Sequence, residues 1–297
     1  MDRRDFLALS SLGFATTLTS RLGAAPDTPP ISPKGENIRY GLVTYQWGKD
    51  WDLPTLIANC AAAGVGGVEL RTTHKHGVEP TLNAAEREEV RKRFADSPVT
   101  CVGIGSDERF DNPSPEKVRD AIEKSKAFIE LSHDIGGSGV KVKPDRFWPD
   151  VPREKTIEQI ALALNELGEY ADGFGQQVRL EVHGQCAELP TIKAIMDIAK
   201  HPSVAVCWNC NAQDLQGAGL VGNFEMVADR FGQTAHIHLM ESTSYPHSQL
   251  LDLLVARDYN GWLLLEEGKV PADPAAELKR ERERFDKALA AARRRAA

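Results

Sequence analysis

The chain has 297 residues, of which 41% are hydrophobic and 27% charged, a composition typical of a globular protein. Its 36 Lys and Arg residues against 43 Asp and Glu residues give a formal net charge of −7. This balance argues against a nucleic-acid partner, because affinity for the phosphate backbone depends on clustered basic side chains. No apolar run reaches the length of a membrane span, so we expect none in the mature chain.

The first 25 residues have the pattern of an export signal. Arg3 and Arg4 precede an uncharged stretch over residues 6–20, and small residues follow it. Paired arginines before a short, weakly apolar segment are typical of signals that the twin-arginine export machinery reads. We therefore predict a signal peptide over residues 1–25 and a periplasmic location for the mature chain. A short amphipathic N-terminal helix is the alternative.

Residues 26–37 are rich in proline and polar side chains, which predicts a linker ahead of the folded domain. Beyond the linker, short apolar or β-branched runs alternate with longer amphipathic segments. Runs this short and this continuously apolar are typical of parallel strands that are covered on both faces. They predict eight strands, over residues 40–44, 66–71, 100–105, 139–143, 178–182, 204–208, 234–239 and 262–266.

The segments between these strands have helical spacing. Asn83 is the predicted cap of the second helix, in a capping box with Glu86. The later helices are predicted over residues 153–172, 189–200, 223–231, 246–257 and 274–295. Eight such βα units favour an α/β fold, a single (β/α)8 TIM barrel over residues 38–297. A doubly wound open sheet is disfavoured, because no Gly-x-Gly-x-x-Gly turn follows the first strand.

Polar and aromatic side chains gather where the predicted strands end. A barrel of this kind has its active site at the carboxyl ends of its strands. Burying so many ionisable groups there is costly unless they are paired or bind a ligand. The candidate site residues are Trp47, Glu69, Arg71, Lys143, Glu181, His183, Trp208, Asn209, His236, His238, Glu241 and Glu266. Asp107, Lys141 and Asp145 also lie near strand ends.

Within this set, two carboxylates and several imidazoles suggest a metal site. Strand alternation places Glu181 and His183 on one face, and it relates His236 to His238 in the same way. Carboxylate and amide oxygens together with imidazole nitrogens favour Mn²⁺, Mg²⁺, Co²⁺ or Zn²⁺. Each group alone has a simpler interpretation: a single strand-end histidine is usually hydrogen-bonded and structural, and Glu266 alone would suit a salt bridge.

With these residues, the chain resembles the sugar phosphate isomerase/epimerase superfamily, the xylose isomerase-like TIM barrels, over roughly residues 38–290. In epimerase-like members, Glu, Asp, His and Glu from the fifth to eighth strands hold a divalent metal. The resemblance implies the corresponding ligands here, with Mn²⁺ as the first choice: Glu181 in Leu-Glu-Val-His, Asn209 in Val-Cys-Trp-Asn, His238 in His-Ile-His-Leu-Met-Glu and Glu266 in Leu-Leu-Leu-Glu. Asn209 departs from the family's Asp and contributes no charge, which implies weaker metal binding.

The resemblance also implies an activity. It indicates a metal-dependent isomerase or epimerase that acts on a sugar or keto-sugar through an enediolate, with Glu181 and Glu266 as the catalytic carboxylates. The predicted export, with only Lys143 and Arg71 as candidates to bind a phosphate, favours a free, non-phosphorylated substrate. The remaining candidates would bind the sugar: Trp47, Glu69, Arg71, Lys143, His183, Trp208, His236 and Glu241. Two alternatives stay open. One is a lyase or dehydratase that carries out β-elimination on a keto-sugar or 3-keto-glycoside. The other is a carbohydrate-binding barrel without catalysis.

Overall fold

The computed structural model describes residues 33–296. Eight parallel strands pair in chain order, and the eighth pairs with the first, so that the sheet closes into a barrel. A helix follows each strand, which confirms the predicted (β/α)8 TIM barrel. The predicted signal peptide and most of the predicted linker lie outside the described residues, and both stay predictions.

All eight predicted strands are present, with ends that differ by a few residues. The strands are β1 (Arg39–Val43), β2 (Gly67–Arg71), β3 (Thr100–Arg109), β4 (Gly139–Lys143), β5 (Gln177–Glu181), β6 (Val204–Asn209), β7 (Phe231–Ile237) and β8 (Trp262–Leu265). Both ends of β4 were predicted correctly. The start of β7 was not, because Phe231 already pairs with Val206 of β6 and the strand begins three residues before the predicted position.

The helices surround the barrel. They are α1 (Leu53–Ala63), α2 (Ala84–Ala95), α3 (Pro115–Asp134), α4 (Arg153–Asp172), α5 (Leu189–Ile198), α6 (Gly219–Val227), α7 (His247–Ala256) and α8 (Pro274–Ala296). The predicted capping box is confirmed, since the Asn83 side chain accepts from the Glu86 backbone and Glu86 accepts from the Asn83 backbone. The helix predicted over 223–231 is shifted, because α6 begins at Gly219 and ends at Val227. Within residues 33–296, no helix is long and apolar enough to cross a membrane.

The two faces of the barrel strands have different surroundings. Outward-facing side chains such as Leu180, Val206 and Leu263 are fully buried in an apolar core that lies between the strands and the helices. The inward faces carry charge, and four inward side chains are fully buried: Glu69, Lys141, Arg179 and His236. A small apolar cluster lies beside them inside the barrel, formed by Val43, Val102, Trp262 and Leu264. The interior of this barrel is therefore polar on one side.

Arg179 is the deepest of these charged groups. Its Nη2 donates to the carbonyl of Ser138, which precedes β4, so its guanidinium lies at the amino end of the barrel. A Cβ at Gly139 would lie 3.0 Å from that guanidinium, so the absence of a side chain there makes room for it. The other fully buried charged side chains, Glu69, Lys141 and His236, lie nearer to the carboxyl end of the barrel, where the candidate site is.

Candidate active site

Glu181 is the centre of the polar interior. It ends β5 with 1% of its side chain exposed, and the Lys141 Nζ lies 2.8 Å from its Oε2. Asn209 Nδ2 donates to its Oε1 at 2.9 Å. Burial opposes ionisation of this carboxyl group, but the positive charge of Lys141 and the contact with His236 prevail. The pKa of Glu181 therefore lies well below its usual value, and the group is a carboxylate.

His236 is fully buried among three carboxylates. Its Nδ1 lies 3.2 Å from Glu266 Oε2 and 3.4 Å from Glu181 Oε1, while its Nε2 lies 3.2 Å from Glu69 Oε1. Burial lowers the pKa of His236, but Cys207 and then the carboxylates raise it by more than burial lowers it. The pKa of His236 is therefore well above its usual value. The pKa of Glu266 is lowered in turn, because the charge of His236 outweighs the cost of burial.

Three of these groups together have the geometry of a metal site. One ligand atom each from Glu181, His236 and Glu266 lies within 4.8 Å of the other two. Asn209 is their neighbour: its Nδ2 donates to Glu181, and among residues 33–296 nothing donates a hydrogen bond to its buried Oδ1. Two carboxylates, an imidazole and an amide oxygen suit a divalent cation, so the residues present fit such an ion.

The structure places His238, the histidine ligand that the resemblance implied, further out than His236. Because β7 ends at Ile237, His238 lies beyond the strand, with 37% of its side chain exposed. Its Nδ1 lies 2.8 Å from the carbonyl oxygen of Glu266 and 3.6 Å from Glu267 Oε1. The geometry therefore favours His236, one pleat deeper, as the histidine beside the two carboxylates. The ligand role predicted for His238 and the substrate-binding role predicted for His236 stay predictions.

Basic side chains predicted to bind substrate lie at the mouth of the barrel, and they are paired. Lys143 Nζ lies 2.7 Å from Asp107 Oδ1, and Arg71 Nη2 lies 3.7 Å from the same oxygen. His183 Nδ1 lies 3.1 Å from Asp145 Oδ1, and burial lowers the pKa of His183. These residues line the carboxyl ends of β2 to β5, and their part in substrate binding stays a prediction.

Three other predicted sugar-binding residues are directed elsewhere. Trp208 is 1% exposed on the outward face of β6, where its Nε1 donates to Tyr245 Oη at 3.3 Å. Trp47 is 4% exposed in the apolar core and donates to a backbone carbonyl. Glu241 pairs with Arg284 at 2.9 Å. Packing and a surface ion pair thus replace the stacking and hydroxyl binding that we predicted for these side chains. Glu69 is also fully buried and contacts His236 rather than the mouth.

Lys141 is the residue whose importance the sequence did not reveal. It shares the inward face of β4 with Lys143, and that period of two is the available sequence signal. Its carboxylate partner lies on the next strand, 40 positions further along the chain, and only the parallel register of β4 and β5 brings the two together.

Comparison with known proteins identifies the family. The family model of the xylose isomerase-like TIM barrel matches residues 57–288. The chain therefore belongs to the family of xylose isomerase-like TIM barrels, which confirms the resemblance found in its sequence. No curated protein sequence matches the chain.

Solved structures with this fold include several sugar epimerases. An L-ribulose 3-epimerase is 18% identical with a TM-score of 0.73, and the match covers 87% of this chain and 97% of that one. The 3-keto-D-glucoside 4-epimerase of E. coli is 15% identical with a TM-score of 0.71, covering 84% and 99%. A D-allulose 3-epimerase from Methylomonas sp. is 17% identical with a TM-score of 0.70, covering 86% and 99%. At these identities, the likeness establishes the fold.

Proposed function

We propose that this protein is a sugar isomerase or epimerase that removes and returns a proton at a carbon next to a carbonyl group. The observation that carries the proposal is the pair of carboxylates at the carboxyl end of the barrel. Glu181 and Glu266 both approach the Nδ1 of His236, and both have a lowered pKa. The epimerases among the solved structures of this fold support the same class of activity.

The two carboxylates differ in their exposure to solvent, and this difference indicates which of them lies nearer to the substrate. The Glu266 side chain is 11% exposed against 1% for Glu181, so Glu266 is the one nearer to a ligand at the mouth. A carboxylate accepts the proton as the C–H bond breaks and the electron pair moves into an enediolate. A protonated carboxyl group then returns a proton to the same or a neighbouring carbon. Each such transfer contributes a rate factor of about 10²–10⁴.

The positive charges around the carboxylates would assist this chemistry. Lys141 contacts Glu181 in a water-poor interior and keeps its charge when a metal ion binds, whereas His236 carries charge only while no metal ion is bound to its ring. Fixed positive groups in such surroundings stabilise negative charge that develops on a substrate oxygen. The same charges keep the carboxylates ionised, as the pKa directions of both groups require.

The proposal includes a divalent metal ion, with Mn²⁺ as the first choice and Mg²⁺, Co²⁺ or Zn²⁺ as alternatives. Glu181, His236 and Glu266 would hold it, with the Asn209 amide oxygen beside them. An ion at this place would polarise the carbonyl and hydroxyl oxygens of a bound sugar. His236 must be neutral to serve as a ligand, so metal binding competes with protonation of its ring.

The predicted export signal supports a neutral sugar as substrate, because phosphorylated sugars are found mainly in the cytoplasm. We therefore propose a non-phosphorylated sugar or keto-sugar, acted on in the periplasm after twin-arginine export of the chain.

Solvent isotope exchange tests this function directly. Ketoses and 3-keto-glycosides are incubated with the protein and Mn²⁺ in D₂O, and products are analysed by NMR and mass spectrometry. We expect deuterium at one carbon next to the carbonyl group, with no loss of mass from elimination. Release of an aglycone or formation of an unsaturated sugar would instead identify a lyase. Sugar binding without exchange would identify a carbohydrate-binding protein.

A matched pair of variants assigns the exchange to the site. Glu266→Gln should reduce the exchange rate by about 10²-fold or more, because it removes a proton acceptor. Glu108→Gln makes the same chemical change at the end of β3, where the carboxylate faces Lys124 and Asp120 of α3. That control should exchange at the wild-type rate. Equal rates in both variants would show that Glu266 has no catalytic part.

A further inference from the structure

Lys141 is a fully buried ammonium group in the middle of the candidate site. Its side chain is 0% exposed, and its Nζ contacts Glu181 Oε2 at 2.8 Å and the Ser106 carbonyl at 3.1 Å. Glu181 is the one carboxylate of residues 33–296 within 4.0 Å of this nitrogen. A buried lysine is costly without such a partner, so the pair forms a unit.

This pairing leaves little of Glu181 available to another cation. Lys141 approaches Oε2 from β4, whereas Asn209 Nδ2 and His236 Nδ1 approach Oε1 from β6 and β7. Among residues 33–296, Oε1 thus accepts from Asn209 and lies beside the imidazole, whereas Oε2 accepts no hydrogen bond and faces the charge of the ammonium group. A divalent ion coordinated by Glu181 would have to displace the ammonium or lie within a few ångströms of it.

We propose that Lys141 is the resident counter-ion of this site and competes with a divalent metal ion for Glu181. Like charges at such a separation in a low-dielectric interior repel strongly, so the ammonium weakens metal binding. It also keeps Glu181 paired when no metal is bound. This proposal rests on the metal site of the proposed function, and it predicts that Lys141 sets the metal concentration at which that site fills.

The neighbouring Lys143 provides a matched control. It lies on the same inward face of β4, two residues further toward the mouth, and its Nζ pairs with Asp107 at 2.7 Å. The Asp107 side chain is 53% exposed, so water and salt screen that pair more than they screen the pair of Lys141. Removing either charge changes the net charge equally, but only Lys141 contacts a carboxylate of the metal site.

The experiment measures Mn²⁺ affinity by isothermal titration calorimetry in the wild type and in Lys141→Gln, Lys141→Met and Lys143→Gln. Both Lys141 variants should bind Mn²⁺ at least about tenfold more tightly than the wild type, because one repelling charge is gone. Lys143→Gln should stay within about threefold. Mn²⁺ should also raise the thermal unfolding midpoint of the Lys141 variants more than that of the wild type. Unchanged affinity in both Lys141 variants would overturn the proposal.

Lys141→Gln guards against a failure to fold, since its amide nitrogen still donates to Glu181 or the Ser106 carbonyl without carrying charge. If neither variant folds with or without Mn²⁺, Lys141 is a structural counter-ion and the proposal is wrong. The same titrations distinguish a failure of this proposal from a failure of the proposed metal site. Mn²⁺ binding to the Lys141 variants but not to the wild type supports competition and contradicts a metal in the native site. Equal Mn²⁺ binding in all four proteins supports the metal site and contradicts competition.

Discussion

On β5, Leu180 and Glu181 are neighbours in sequence and both are almost fully buried, but they face opposite sides of the sheet. Leu180 faces the apolar core beneath the helices, where burial itself stabilises the fold. Glu181 faces the barrel interior, where burial costs free energy that its contacts with Lys141 and His236 must offset. Equal burial thus has opposite energetic consequences in the two regions. The apolar layer stabilises the barrel, and the interior holds the carboxylates of the proposed site.

The largest effect should come from leaving one charge of the interior unpaired. Glu181→Met removes the partner of a fully buried Lys141, so the free energy of unfolding should fall by about 3–5 kcal/mol. The rate of isotope exchange should fall by about 10²-fold or more as well. Urea unfolding and the D₂O assay measure the two quantities.

The double variant Lys141→Met/Glu181→Met separates the two losses. With both charges replaced by apolar side chains of similar length, most of the stability should return, because buried ion pairs contribute little net free energy. The exchange activity should stay lost. If the double variant were no more stable than Glu181→Met, the interior would stabilise the fold through this pair, and the contrast with the apolar layer would fail.

Leu180→Ala tests the other face of the same strand. Removing this fully buried side chain should lower the free energy of unfolding by about 2–5 kcal/mol, through lost burial and a residual cavity. The exchange rate per folded molecule should stay near the wild-type value, because the carboxylates face the other way. Leu180→Met conserves volume and should cost less than about 1.5 kcal/mol. A large loss of activity in Leu180→Ala at temperatures where it is folded would contradict this division.

The sequence predicted most of the fold because parallel strands covered on both faces leave a local signal. Continuous apolar runs such as the one that forms β8 identified all eight strands. Helix ends were predicted where a cap is written in the chain, as at Asn83. The start of α6 at Gly219, which has no side-chain cap, was missed, although the starts of α4 and α5 were predicted correctly without one. The start of β7 depends on pairing with β6.

The site was predicted less completely, and the reasons are physical. Glu266 and Glu181 were identified because each is an acid at the end of an apolar strand. The period of two relates His236 to His238 but does not show which of them lies beside the two carboxylates, since that depends on how β7 aligns with the neighbouring strands. The partner of Lys141 follows from the register of β4 and β5, which no local pattern records.

Asp214 is a buried ionisable side chain outside the barrel interior, and it should make the free energy of unfolding depend on pH. It is fully buried, and its Oδ2 accepts from the hydroxyl of Tyr245 at 2.8 Å and from the backbone of Asn211 at 2.9 Å. Burial raises the pKa of Asp214 from 3.8 to about 7. The folded state therefore holds this proton more tightly than the unfolded state, so the stabilisation is complete below about pH 4 and is lost as the pH rises to about 7.

Asp214→Asn should remove this dependence, because an amide keeps the acceptor oxygen and carries no charge. Between pH 4 and 7, the free energy of unfolding of the wild type should fall relative to that of the variant, by roughly 4 kcal/mol at most. Urea unfolding of both proteins at several pH values measures the difference. Parallel curves would mean that Asp214 titrates normally and that water reaches this part of the outer core.

The smallest loss of stability is expected at the surface, because water can form the hydrogen bonds that a substituted side chain no longer makes. Asn83→Ala removes the side chain that accepts from Ala85 and Glu86 at the start of α2, and it should cost about 1 kcal/mol of unfolding free energy. Asn83→Asp keeps the acceptor and should change stability by a few tenths of a kcal/mol, as measured by urea unfolding. A loss in Asn83→Ala as large as that in Leu180→Ala would show that an exposed cap stabilises this barrel as much as its apolar layer does. The ranking of interior, core and surface would then have to be abandoned.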